Sequence, residues 1–358
     1  MNTLQNGLLL ASLCTAVGVL PFVPTLLTRL RGPRVGQTRQ TLSDASVQCE
    51  NFRRLIENDF ASLINLARKN GTIRSANDHG QPFIVLGFQS NLVELLAPGS
   101  KRLRSCVIAS GHLDIPGELI CDREIFAEGQ INVAPHAVVK SLLSHRDIAI
   151  GPRARVTRWV RSDRRLDVAE GACIKGWASA GIEIALARRA CFQKVLAPQI
   201  RFGRQKDQTD PRHNTDTTGR FEPPVRSGAR PGNGHDLQIP AGHAVKEDLI
   251  LSGVLVIGDG CHIIGQIRAE KGIRIGADVR IDGAIHANGG IEIGPRSCIS
   301  GPVVSNGKIT VAQACVFGST DEPCTLSAET IMISEGCVAH GTVHALCRGE
   351  VIAERNAP

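Results

Sequence analysis

Aromatic side chains are nearly absent from this sequence: they make up 3% of its 358 residues, and there is no tyrosine. Such a composition is unusual for a globular enzyme. Glycine is abundant instead, with 37 residues, and the 42% of apolar residues are enough to build a core. The composition therefore predicts a fold with many tight corners, in a chain long enough for two or three domains.

Paired cysteine motifs are also missing, because the 12 cysteines are scattered and no two have the CxxC spacing. This pattern gives no support to a disulfide framework. We interpret the cysteines as reduced thiols in a cytoplasmic compartment. We also expect no metal ion and no cofactor.

Charge is lacking from residues 1–28, and an apolar run extends from Leu8 to Leu27. About 20 apolar residues are needed to cross a bilayer. A secretory signal peptide would have a basic region ahead of the run, which this chain lacks. Residues 1–30 are therefore predicted to be a transmembrane anchor. The arginines that follow predict a cytoplasmic location for the bulk of the chain; they are Arg29, Arg31, Arg34 and Arg39.

Residues 41–105 are predicted to hold a helix and a short strand, without an assigned function. Apolar residues recur at helical spacing over residues 41–69, and Asn70 and Gly71 end the pattern. The sequence PFIVLGF at 82–88 is typical of a strand.

A repeat dominates residues 237–353. Its anchors are LVIG at 255, IRIG at 273, IEIG at 291, ITVA at 309 and IMIS at 331, so the steps are 18, 18, 18 and 22 residues. Weaker anchors occur over 106–203, at 113, 131, 148, 166 and 182, with steps of 18, 17, 18 and 16. Residues 204–236 are rich in proline and polar residues, which predicts a flexible linker between two arrays.

Within one repeat, apolar residues come in alternating pairs about six residues apart, which indicates three short strands per coil. A fixed period of this length predicts an all-β fold of two parallel β-helix arrays, in which each coil buries its inner face against its neighbours. Glycines at fixed places are predicted to form the corners, by positive φ or by close backbone approach. These are Gly258, Gly265, Gly276, Gly283, Gly294, Gly301 and Gly341.

The run LVIGDGCHIIGQIRAEKGIRIGADVRIDGAIHANGGIEIGPRSCISGPVV resembles the bactofilins, the polymer-forming cytoskeletal proteins of bacteria. The resemblance extends over 249–349 and is more diffuse over 106–203. It implies a right-handed β-helix that assembles end to end without nucleotide, close to the inner membrane. This chain departs from the family in having two arrays, and in having a spanning anchor where the family has a short targeting tail.

A hexapeptide-repeat acyltransferase, with a left-handed β-helix, is the alternative function, because 18 residues are also three hexapeptides. The period does not give the handedness. Steps of 16 and 17 residues break strict hexads, and no acceptor-activating histidine is evident. His340 and His344 lack a third metal ligand at suitable spacing. The carboxylates beside the corners are interpreted as solvated, so no catalytic residue is assigned; they are Asp259, Asp278, Asp282 and Glu292.

The last coil of the second array is the predicted surface for self-association, since an open β-helix end invites pairing with another copy. Its apolar residues are Val338, Val343 and Leu346. The first array is the alternative cap for this end, because a linker of this length spans roughly 30 Å.

Arginines concentrate in the sequence GPRARVTRWVRSDRR, at 153, 155, 158, 161, 164 and 165. A lipid-facing basic patch and a solvated face are both compatible with this cluster. Trp159 is the only aromatic residue among them, so nucleic acid is not an expected partner. The expected partners are a second copy of the chain, the membrane and unidentified recruited proteins.

Overall fold

The computed structural model describes residues 36–76, 80–88, 92–96, 100–203 and 236–353. The chain divides into two compact units, Met1–Asp44 and Ala45–Pro358. Only residues 36–44 of the first unit are described, and they begin the first helix. The second unit contains both repeat arrays.

The chain begins with a helical segment, which the sequence predicts from residue 41. Helix α1 spans Gly36–Leu55, a π-helical turn spans Ile56–Phe60, and helix α2 spans Ala61–Asn70. The side chains at Phe52, Ile56, Phe60, Ile64 and Ala67 are buried, as the helical spacing indicates. Leu55 lies off this stripe and is exposed.

The first array follows the helices, and its strands form the stacked coils of a β-solenoid. Its outer end holds β1 (Ile73–Ala76), β2 (Pro82–Leu86), a 3₁₀ turn (Leu92–Leu95), β3 (Arg102–Leu103), β4 (Cys106–Ala109) and β5 (Leu113–Ile115). The following coils each hold one long and one short strand, so that the long strand turns a corner that separate strands make elsewhere. These strands are β6 (Ile120–Ala127), β7 (Ile131–Val133), β8 (Val138–Ser144), β9 (Ile148–Ile150), β10 (Arg155–Ser162), β11 (Arg165–Val168), β12 (Cys173–Ala180), β13 (Glu183–Leu186) and β14 (Cys191–Phe202).

The second array has three short strands in each coil, as the repeat predicts. They are β15 (Leu237–Ile239), β16 (Ala244–Val245), β17 (Leu249–Leu251), β18 (Val254–Ile257), β19 (His262–Ile264), β20 (Ile267–Ala269), β21 (Gly272–Ile275), β22 (Arg280–Asp282), β23 (Ile285–Ala287), β24 (Ile291–Ile293), β25 (Cys298–Ile299), β26 (Val303–Ser305), β27 (Lys308–Val311) and β28 (Val316–Phe317). The longer strands β29 (Cys324–Ser334) and β30 (Cys337–Ile352) complete the array. The two arrays together make about 12 solenoid turns, which confirms the prediction of an all-β repeat fold.

Strands pair in parallel between successive coils, and the pairing register reproduces the sequence period. Ile273 pairs with Ile291, and Ile291 pairs with Ile309. The predicted anchor at 182 is wrong, because Leu166 pairs with Ile184 and Ile182 is exposed. The first array is therefore more regular than its sequence indicates. One of the two irregular steps that separated it from strict hexads disappears.

The core is a column of inward side chains that repeats every six residues in the second array. Ile257, Ile263 and Ala269 of one coil lie beneath Ile275, Ile281 and Ala287 of the next, and all six are at most 5% exposed. Each coil covers the inner face of its neighbours. A single coil has no such cover and would expose its apolar side to water.

The predicted corner glycines allow close approach of the backbone. A Cβ added at Gly294 would overlap the Gly276 carbonyl oxygen, and one added at Gly258 would lie 2.5 Å from the Ala241 nitrogen. Positive φ occurs two residues later, at Gly260, Asp278 and Arg296. Close approach is therefore the reason for glycine at Gly258, Gly276 and Gly294. The second corner shows the same overlap with the preceding coil at Gly265, Gly283, Gly301 and Gly341.

The predicted anchor at residues 1–30 lies outside the described residues, as does the linker over 204–235. Among the helices that are described, none combines the length and the apolar character needed to cross a membrane. The transmembrane anchor therefore stays a prediction from sequence.

Candidate functional site

The last coils of the two arrays meet within the chain. Strand β14 pairs antiparallel with β30 along nearly its whole length, from Cys191 opposite Glu350 to Phe202 opposite Cys337. The corners continue this pairing, because the Arg189 N–H donates to the Val351 carbonyl at 2.8 Å and the Gly336 N–H donates to the Phe202 carbonyl at 2.7 Å. We call this interface the junction. It joins the C-terminal end of one array to the C-terminal end of the other.

Complementary side-chain sizes fill the junction. Phe192 and Phe202 replace the smaller Ile174 and Leu186 of the preceding coil, and both rings are fully buried. Phe192 lies opposite Gly349, where an added Cβ would lie within 2.6 Å of ring atoms. The large side chains of the first array thus occupy the space that small residues leave in the second.

The predicted self-association surface lies at this junction, and the expectation of an open end there is wrong. Val343 is fully buried and pairs with Val195 on one side and Leu326 on the other. Val338 pairs with Arg201, and Leu346 is half-buried on β30. The first array caps this end, because the two last coils satisfy each other's backbone groups.

The other end of the second array is its first coil, and each strand there has one neighbour. Strands β15, β16 and β17 pair with β18, β19 and β20 and with no other described strand. Side chains that the second coil buries completely are 6–8% exposed in this coil, at Ile239, Leu249 and Leu251. We call β15–β17 the open end. An unpaired strand edge is a template for β pairing.

The opposite end of the first array is covered. Strand β2 lies between β4 and the antiparallel strand β1, and the turn Leu92–Leu95 lies against β5. Strand β1 is short and exposes Arg74, which are features that discourage further pairing. The open end is therefore the better candidate for association among the described residues.

The six predicted basic residues do not share one face. Arg155, Arg158 and Arg161 belong to β10 and Arg165 to β11, which lie on different sides of the coil, while Arg153 and Arg164 lie in turns. Arg161 is half-buried beneath α1, where it donates to Glu50 at 3.2 Å. Trp159 is buried against Phe52, with ring centroids 5.7 Å apart, so its ring is not presented to a ligand.

The carboxylates near the corners have structural partners in adjacent coils. Asp259 accepts the Ala277 N–H at 2.7 Å, and Asp278 accepts Arg296 Nε at 2.7 Å, which lowers the pKa of that carboxyl. His262 Nε2 lies 2.9 Å from Asp282 Oδ2. Glu292 lies 3.5 Å from Arg274. These contacts link the coils and account for the carboxylates without catalysis.

Metal ligands are not gathered in the described part of the chain, where no three His, Cys, Asp or Glu side chains form a group able to hold an ion. His340 instead belongs to the junction. Its Nδ1 lies 2.9 Å from the Pro198 carbonyl oxygen, which can only accept, so this nitrogen is the donor.

Buried cysteines occupy inner corners of the second array, as the sequence predicts for three of four. Cys261, Cys315 and Cys337 are buried, and each thiol donates to a carbonyl of the preceding coil at 3.0–3.1 Å. Cys298 was grouped with them wrongly. It is displaced by one residue and exposed, because Ser297 takes the inner corner of that coil.

No family model matches this chain, and no curated protein or solved structure matches it.

The sequence-based reasoning overlooked the residues that make both array ends. Phe192 and Phe202 carried a signal, since aromatic residues are rare in this chain and both fall in one coil. The open end carried a weaker signal, which was its position at the start of the strict repeat after a polar segment.

Proposed function

We propose that this chain is a non-enzymatic, membrane-anchored scaffold that self-assembles through its solenoid ends without nucleotide, as the resemblance to bactofilins implies. Residues 1–30 supply the anchor, and the body lies on the cytoplasmic side of a bacterial inner membrane. The junction is the observation that supports this function best, because it is itself an antiparallel pairing between two solenoid ends. The open end is the surface left for a second copy.

Association through the open end requires backbone groups that point away from the first coil. The Leu249 N–H donates to the Gln266 carbonyl at 2.8 Å, so Leu249 faces β20. Direction alternates along a strand, and Ile250 therefore directs its N–H and C=O away from β20. The Ile250 side chain is 61% exposed and contributes little to the core.

Ile250→Pro is expected to abolish assembly while the fold persists. Proline removes a donor and adds a ring at the open edge, yet it leaves the bonds to β20 in place. The measurement is sedimentation and negative-stain microscopy of the protein without residues 1–30, with neither nucleotide nor metal added. We expect oligomers or filaments from the parent protein and single chains from the variant.

Ile250→Thr is the matched control, because it also shortens the exposed apolar side chain but keeps the N–H. It should assemble like the parent. A parent protein that stays monomeric at high concentration would overturn the proposed assembly. Turnover of an acyl-CoA in the same sample would favour the hexapeptide-repeat enzyme, with which a β-solenoid is also compatible.

A further inference from the structure

Two cysteines lie together on the outer face of the first array, beside the junction. Cys173 begins β12 and Cys191 begins β14, and the two are paired residues of adjacent parallel strands. Both are half-exposed, unlike the corner thiols of the second array. Neither the repeat nor the proposed assembly uses them.

The spacing of this pair suits a disulfide. Paired residues of neighbouring strands lie about 4.8 Å apart, and the Cα atoms of a disulfide lie roughly 4.4–6.8 Å apart. The thiols already contact each other, with Cys173 donating a hydrogen bond to the Cys191 sulfur. Each cysteine directly follows a two-residue corner, at Gly171 and Arg189, where the strand starts can adjust.

Cationic groups surround the pair. The Arg348 guanidinium, from the second array, donates to Cys191 Sγ at 3.4 Å, and Glu350 lies opposite Cys191 on β30 and pairs with Arg348. Arg155 and Lys175 act on Cys173 from β10 and β12. The hydrogen bond from Cys173 is the main cause that lowers the pKa of the Cys191 thiol, against partial burial, and Arg348 adds to it. The same hydrogen bond raises the pKa of Cys173.

We propose that Cys191 and Cys173 form a redox-active dithiol, in which a hydroperoxide converts the two thiols into a disulfide between adjacent coils. The Cys191 thiolate attacks the hydroperoxide, so an S–O bond forms, the O–O bond breaks and the leaving oxygen takes a proton to give an alcohol or water. The Cys173 sulfur then attacks the sulfenic acid. The S–S bond forms, the S–O bond breaks, and the departing hydroxide takes the Cys173 proton as water. Disulfides of this transient kind are the ones found in reducing compartments.

The pH dependence of alkylation tests the thiolate. Between pH 8 and pH 6, an ordinary thiol slows about 100-fold, since its thiolate fraction falls nearly tenfold per unit. We expect Cys191 in the full chain to slow only a few-fold. Cys298 is the internal reference, because it is exposed and burial of its sulfur raises its pKa. Trypsin separates the three thiols into peptides 166–175, 190–194 and 297–308.

Arg348→Gln should steepen the Cys191 profile and leave that of Cys298 unchanged. Brief treatment with hydrogen peroxide should link peptides 166–175 and 190–194. In Cys173→Ser, Cys191 should stop at a sulfenic acid that dimedone traps. A Cys191 profile as steep as that of Cys298 would overturn the proposal, as would peroxide oxidation of Cys298 before Cys191 or the absence of the linked peptides.

Discussion

Ile293→Asp is expected to unfold the second array and to leave the first array folded. Ile293 is 3% exposed and lies between Ile275 and Val311 in the inner column. An aspartate there has no cationic partner inside the column, and the loss of the isoleucine adds a packing defect. The cost is at least about 4 kcal/mol, a large part of the stability of a typical domain. Ile275→Asp is expected to act in the same way.

Two spectroscopic probes separate the arrays. Both tryptophans, Trp159 and Trp177, lie in the first array, whereas circular dichroism reports strands in both. In the parent protein, the two probes should give coincident urea transitions, because the arrays belong to one compact unit. In Ile293→Asp, we expect β-sheet signal to be lost at low urea while the tryptophan transition persists.

Glu292→Gln is the control for this substitution. Its side chain points outward from the same strand, and the exposed pair with Arg274 contributes little. The change in unfolding free energy should stay within about 0.5 kcal/mol. An unchanged melting curve for Ile293→Asp would show that its side chain points out of the solenoid.

The coil structure was predictable from sequence because stacking repeats the same contact at every turn. Isoleucine at 273, 291 and 309 shows both the period and the inward face, and the structure confirms both. The register of Ile184 was misjudged, because apolar residues alternate on either side of Glu183 and the sequence does not show which of them points inward. The neighbouring coil decides this, since only Ile184 aligns with Leu166.

The junction was predictable only as an alternative. A period describes how a coil stacks on the next coil of the same array, and it holds no information about the partner of the last coil. That partner is selected by shape, as with Phe192 against Gly349, and by antiparallel pairing across about 150 residues of sequence. The Cys173–Cys191 pair escaped notice for a related reason. Its 18-residue spacing is visible, but Arg348 approaches from the other array.

Val343→Arg is expected to separate the two arrays. The sequence alone predicted that this substitution weakens association between copies, but the structure places Val343 inside the chain, between Val195 and Leu326. A guanidinium at this position is buried without a partner, which costs several kcal/mol. Strand β30 keeps its parallel pairing with β29, so the second array remains folded and the antiparallel pairing with β14 is lost.

Cleavage of the predicted linker measures this separation directly. A protease site inserted within residues 204–235 cuts the chain between the arrays, and size-exclusion chromatography at low concentration then reports whether the halves remain together. We expect the parent halves to elute together and the Val343→Arg halves to elute apart. Leu196→Arg is the matched control, because Leu196 is also on β14 but is 39% exposed, so its halves should stay joined. Parent halves that separate on cleavage would show that β14 and β30 do not hold the arrays together, and Val343→Arg halves that stay joined would show that the buried valine is not needed for the junction.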